Sequence, residues 1–265
     1  MKKYKLIAAD MDGTLLNNNS ELTPGVRDAI RRCMAAGCYF LPATGRPIHG
    51  IRLFGTDLFG NAPIITYNGA VVVSADGNEI LYSVDMDAED ARYVLRMGRE
   101  ADTTICVWSC NRLYVNKLND NVEQYRALSG QTPIVYTDDE MLIRQGITKI
   151  LWFDTVERVN AWHHGIAPDT IPGTSFNPSK PYFLEFYSQK VSKAEALSAV
   201  CKMVGVDVAD AIAIGDGFND LPMLERAGLG VAMANAPDEV KARCGYVTSS
   251  NEEDGVARVI EKFML

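Results

Sequence analysis

Three short apolar runs, each ending at a polar residue, constrain this chain more than any other feature. Leu6-Ile7-Ala8-Ala9 stops at Asp10, Cys38-Tyr39-Phe40-Leu41 leads to Ala43-Thr44-Gly45-Arg46, and Ala211-Ile212-Ala213-Ile214 stops at Gly215-Asp216. Uninterrupted runs without polar alternation are strands covered on both faces, as in a parallel sheet flanked by helices. Between the first two runs, Thr23 offers an N-cap oxygen and Pro24 fits the first helical position. Val26, Ile30 and Cys33 share one face, and Gly37 closes the element. Strand, helix, strand is the pattern of a right-handed crossover in an open α/β sheet.

The remaining punctuation predicts an insertion. Asn68-Gly69 and Asp76-Gly77 are tight turns that divide Ile64–Tyr67, Val71–Val73 and Ile80–Tyr82 into a small antiparallel meander. From about Asp85 the texture becomes mixed, with helices over Ala88–Glu100, Val122–Leu128 and Val156–Gly165. Strands are expected at Thr104–Trp108, Leu113–Asn116, Thr148–Asp154 and Tyr182–Tyr187. The first style then returns: a helix over Lys193–Val204, the strand ending at Gly215, and shorter elements to a final helix over Asp254–Phe263. The expectation is a core of residues 1–84 and 189–265 with an inserted α+β domain over 85–188; a length of 265 residues suits one or two domains.

Composition narrows the partners. The chain carries 34 Asp and Glu against 26 Lys and Arg, a formal charge of −8, so it repels polyanions and no nucleic-acid partner is expected. The four apolar residues before Asp10 are too few for a secretory signal, and no run approaches the roughly 18 residues of a membrane span. Six scattered cysteines, without a CxxC pair, read as reduced thiols rather than zinc ligands, and the expected compartment is the cytoplasm.

In open α/β sheets ligands bind beyond the carboxyl ends of the strands, which singles out Asp10 with Asp12, Thr44 with Gly45, and Asp216 with Asn219 and Asp220. Acidic groups converging there repel one another by about 4 kcal/mol per pair at about 4 Å and an effective dielectric near 20. A hard divalent cation, Mg²⁺ above all, relieves that repulsion and that of an incoming phosphate. The Thr44 hydroxyl, nearby backbone N–H groups and an ammonium would then hold the phosphoryl oxygens.

Asp10-Met11-Asp12-Gly13-Thr14-Leu15, Ala43-Thr44-Gly45-Arg46, Val191-Ser192-Lys193 and Gly215-Asp216-Gly217-Phe218-Asn219-Asp220 stand in the order and spacing of four signature motifs. In these the chain resembles the haloacid dehalogenase superfamily, in particular its Cof-like phosphatases of type IIB. The resemblance implies a Rossmann-like core with a parallel sheet and helices on both faces, and an inserted C2-type cap that governs specificity. It implies Asp10 as nucleophile and Asp12 as general acid and base. Mg²⁺ would be held by Asp10, the backbone carbonyl of Asp12 and Asp216, with Asp220 in support. Thr44, Lys193 and Asn219 would position the phosphoryl group, helped by backbone N–H groups at Met11 and Gly45. An acid at position 12 accompanies phosphatases and phosphomutases of that family, so hydrolysis of a small phosphorylated metabolite (sugar phosphate, nucleotide or pyridoxal phosphate) is the favoured reaction. The protein is expected to act as a monomer or weak homo-oligomer. Ala194 departs from the Gly that many relatives carry after the lysine.

Blander readings accompany some of these residues. Asp220 also suits the N-cap of a helix starting at Leu221, Asp154 the N-cap of the helix at Val156, and His163 and His164 are adjacent and read as solvated. Arg46 is divided between a substrate contact and a structural ion pair. Trp108, Arg112, Tyr114, Lys117 and Glu185 are the candidates for substrate contacts in the inserted segment, each weighed against packing or surface. The rival functions are a phosphomutase and a phosphorylatable regulatory module resembling receiver domains, which would leave Asp12 without a role.

Overall fold

The structure is a computed structural model that describes residues 4–52, 54–55 and 62–265, with only the backbone of Pro168. Two compact units make up the chain, Met1–Tyr82 with Ser192–Leu265, and Ser83–Val191.

The first unit opens with β1 (Leu6–Ala9), α1 (Pro24–Ala35), β2 (Tyr39–Pro42) and the short α2 (Ile48–Arg52). Thr23 accepts from the Val26 N–H and Pro24 occupies the first turn, so α1 starts where its cap chemistry places it. A meander of β3 (Ile64–Thr66), β4 (Val71–Val73) and β5 (Ile80–Ser83) follows.

The second unit comprises α3 (Ala88–Glu100), β6 (Thr104–Ser109), β7 (Arg112–Val115), α4 (Asp120–Ser129), β8 (Ile134–Val135), α5 (Asp139–Gln145), β9 (Lys149–Phe153), α6 (Val156–Gly165), β10 (Thr174–Lys180) and β11 (Phe183–Ser188). Its sheet runs β10-β11-β9-β6-β7-β8, antiparallel throughout except for β7 and β8. Val94 and Leu95 of α3 pack with Ile105, Trp152 and Phe186 from three strands into a core of the unit's own. The sequence reading omits β8, α5 and β10. β10 carries Pro178 and alternates with polar residues; it survives because it is an edge strand, and its pairing slips between Pro178 and Lys180. Asp154 does not cap α6: the Thr155 side chain does, while Asp154 receives the Thr155 N–H and an Arg158 guanidinium.

The chain then completes the first unit with α7 (Lys193–Met203), β12 (Ala211–Gly215), α8 (Leu221–Arg226), β13 (Leu229–Ala232), α9 (Asp238–Lys241), β14 (Tyr246–Val247) and α10 (Gly255–Phe263). The sheet order is β14-β13-β12-β1-β2, parallel throughout. Leu6, Ala8, Ala211 and Ala213 pack with Ala196, Leu197 and Val200 of α7, while α1 packs against α10, so helices clothe the sheet on both faces. All four residues of β1 are buried, as the uninterrupted apolar run requires. Register places the site: Ala9 pairs with Pro42 on one side and Ile214 on the other, so Asp10, Ala43-Thr44 and Gly215-Asp216 leave one edge of three adjacent strands. Among the described residues, no helix is long and apolar enough to cross a membrane.

Candidate active site

Asp10 leaves β1 with its N–H bonded to the Ile214 carbonyl at 2.9 Å, and it is only 6% exposed. Lys193 begins α7 behind the Ser192 cap and is 1% exposed. Its Nζ donates to Asp10 Oδ1 and to Asp220 Oδ1, both at 2.6 Å. Ala194 is buried beside it and does not displace the lysine, so the departure from glycine is absorbed.

Carboxylate oxygens of Asp10, Asp216 and Asp220 lie within 4.8 Å of one another. Burial pushes the Asp10 carboxyl up to about 7, against the pull of Lys193 and with the push of Asp220 and Asp216. Burial likewise raises Asp216. Burial alone would lower the Lys193 ammonium, but Asp10 and Asp220 hold it above its ordinary value.

Each acid is tethered from the backbone upward. Thr14 Oγ1 donates to Asp216 Oδ1 at 2.8 Å. The turn just before Thr14 requires glycine, since Gly13 has φ +82° and a β-carbon there would stand 2.5 Å from Asp216 Oδ2. Asp220 does not use its side chain to cap α8; Oδ2 turns back to the N–H groups of Asp216 (3.1 Å) and Gly217 (2.9 Å). The acid therefore ties its own loop to Lys193.

The other site residues form two neighbouring groups. Asp12 stands outside the three-acid cluster, its carboxylate 55% exposed and bidentate to Arg46 through Nε (2.8 Å) and an Nη (2.5 Å). This hydrogen bonding holds the Arg46 guanidinium above its ordinary pKa. Arg46 also lies 5.4 Å from the Phe54 ring centre. Thr44 is buried, with its N–H on the Ile65 carbonyl and its Oγ1 accepting from the Arg46 N–H at 3.1 Å. Gly45 and Asn219 meet at Asn68, whose Oδ1 accepts from Asn219 Nδ2 at 3.2 Å. Met11 buries its side chain, and its carbonyl receives the Leu16 N–H. Sequence reasoning missed Thr14 and Asn68 as parts of this arrangement; Asn68-Gly69 carried a turn signal that masked any other.

In the second unit, Trp108 is buried with Nε1 donating to Tyr125 Oη at 2.8 Å, and Tyr114 is buried in the core. Lys117 pairs with Asp102 at 2.7 Å and Glu185 with Lys149 at 3.0 Å, while Arg112 is exposed. Packing and ion pairs account for four of these five residues.

The sequence pattern of the haloacid dehalogenase-like hydrolases matches residues 7–260. The chain belongs to that family. This hydrolase is 34% identical over 267 residues to the YxeH protein of Bacillus subtilis, covering 99% of each chain. It is 28% identical over 261 residues to YcsE of the same organism, named 5-amino-6-(5-phospho-D-ribitylamino)uracil phosphatase, covering 98% of this chain and 96% of the other. A crystal structure of a haloacid dehalogenase-like hydrolase from Bacteroides thetaiotaomicron superposes with a TM-score of 0.85 at 30% identity, covering 98% of this chain and 99% of that one.

Proposed function

We propose that this hydrolase is a Mg²⁺-dependent phosphatase that cleaves small phosphorylated metabolites through an aspartyl-phosphate on Asp10. The observation that carries the reading is the buried cluster in which one ammonium, Lys193, faces three carboxylates within 4.8 Å of one another. One positive charge against three acids leaves room for a dication, and an all-oxygen donor set suits Mg²⁺. Asp10, Asp216 and the Asp12 carbonyl would hold the ion, with Asp220 in support. When bound, Mg²⁺ supplies charge neutralisation for the carboxylates and the phosphoryl oxygens.

The chain's own groups account for the rest. An Asp10 carboxylate oxygen forms the bond to phosphorus as the ester P–O bond breaks, and the leaving alkoxide takes a proton from Asp12. Asp12, now a carboxylate, accepts a proton from water as that water attacks phosphorus and frees Asp10 and inorganic phosphate. Arg46, bidentate to Asp12 through Nε and an Nη, positions that side chain. Thr44, Lys193, Asn219 and the backbone N–H groups at Met11 and Gly45 receive the phosphoryl oxygens. A leaving group drawn from sugar phosphates, nucleotides or pyridoxal phosphate, recognition by the inserted unit, a monomeric or weakly associated state and a cytoplasmic location belong to the same proposal.

The test is phosphate release from a panel of these esters with Mg²⁺ and with a chelator. Release that needs the metal and disappears in Asp10→Asn and Asp12→Asn is expected. Release that persists in the chelator or in Asp10→Asn would contradict the reading.

A further inference from the structure

The turn Tyr67-Asn68-Gly69 between β3 and β4 places three consecutive residues at positive φ, 51°, 57° and 98°. Glycine accepts this region and asparagine tolerates it, but a tyrosine there is a steric outlier. Such conformations persist where the surroundings hold them, and they gather at functional sites.

Here the surroundings are the loops that carry Thr44, Lys193 and Asn219. The Tyr67 N–H bonds to the Arg46 carbonyl at 3.3 Å and the Asn68 N–H to the Thr44 carbonyl at 2.9 Å. At Gly69 a β-carbon would stand 2.8 Å from the Lys193 backbone nitrogen, so the turn is pressed against the start of α7. At Gly45 a β-carbon would stand 3.1 Å from Asn68 Oδ1 and 3.2 Å from its Nδ2. The same Oδ1 accepts from Asn219 Nδ2 at 3.2 Å. The turn thus touches all three loops: its backbone meets those of Thr44 and Lys193, and the exposed Asn68 amide meets Gly45 and Asn219. Glycine at position 68 would make the turn equally well but would leave Asn219 unheld.

We infer that Asn68 is a positioning residue of the phosphoryl site. Its carbonyl oxygen takes one N–H of the Asn219 amide and so aims the other, together with Thr44 and Lys193, at a phosphoryl oxygen. The inference rests on the reading of this cluster as a phosphoryl site.

Asn68→Gly keeps the left-handed backbone and removes only the amide, which separates positioning from turn formation. The probe is inorganic phosphate, titrated calorimetrically into the full chain with Mg²⁺ present, for wild type, Asn68→Gly, Asn219→Ala and the double variant. The expected result is phosphate binding about tenfold weaker in Asn68→Gly, the loss of one hydrogen bond to a charged group. The Tm should stay within about 2 °C of wild type. Because Asn68 acts through Asn219, the double variant should bind within about twofold of Asn219→Ala alone. Unchanged phosphate affinity in Asn68→Gly, or losses that multiply in the double variant, would overturn the inference while leaving the phosphatase intact. An Asn68→Gly chain that unfolds would also overturn it, since the amide would then be structural. A wild type that binds no phosphate would overturn the phosphoryl-site reading itself, and this inference with it.

Discussion

Asp10 sits where a carboxylate is costly, and the cost has a sign that can be measured. Its carboxyl rises from an ordinary 3.8 to about 7, chiefly through burial. The folded state therefore binds that proton more tightly than the unfolded chain does. The stability this confers is fully present below about pH 4 and is lost as the pH rises through about 7. In a chelator, wild type should lose more Tm between pH 5 and pH 8 than Asp10→Asn, and the variant should melt higher by about 3 °C or more at pH 8. Thermal melts at the two pH values check this, and parallel curves would mean that Asp10 is no strained acid. At this scale much was legible: Asp10, Lys193, Asp216 and Asp220 do converge. What was not legible was the direction of each side chain. Asp220 turns back onto its loop rather than capping α8, and Arg46 joins Asp12 across 34 positions of sequence. Spacing along the chain does not specify rotamers.

Among the elements, a cap and a turn make opposite predictions. Thr23 accepts from the Val26 N–H and donates to Asp254 Oδ1 at 2.6 Å, tying α1 to the start of α10. Thr23→Ala should cost about 1–2 kcal/mol in denaturant unfolding and leave kcat unchanged. Gly69→Ala meets a positive φ and the backbone at the start of α7, so it should cost about 1–3 kcal/mol and lower kcat as well, by moving Lys193. Equal kcat in the two variants would detach the turn from the site. The core elements were legible because β1 and β12 are covered on both faces and α1 carries its own cap and proline. β10 was not, since an edge strand with Pro178 takes its stability from pairing with β11 rather than from its own composition.

For the molecule as a whole, the two units have separate cores. The three tryptophans, Trp108, Trp152 and Trp162, all fall in Ser83–Val191. Tryptophan fluorescence therefore reports the second unit alone, whereas far-ultraviolet circular dichroism reports both. Mg²⁺ with inorganic phosphate should raise the midpoint of the dichroism component that fluorescence does not follow, and should leave the fluorescence midpoint within about 1 °C. A joint shift of both signals would make unfolding a single cooperative event. The insertion was legible as a change of texture near Asp85. The leaving group was not, because its recognition would depend on side chains brought together by folding, and four of the five sequence candidates in the insertion are occupied in packing or ion pairs.

The central claim, that Asp10 carries the phosphoryl group, is tested most directly in the Asp12→Asn variant. A nitrophenyl phosphate needs no proton for its leaving group, so the first step should proceed, while the base for the second is missing. The account predicts a burst of nitrophenolate of about one per chain and a phosphoryl group recovered by mass spectrometry on the peptide that contains Asp10. A burst without label on that peptide, or label on another residue, would contradict it.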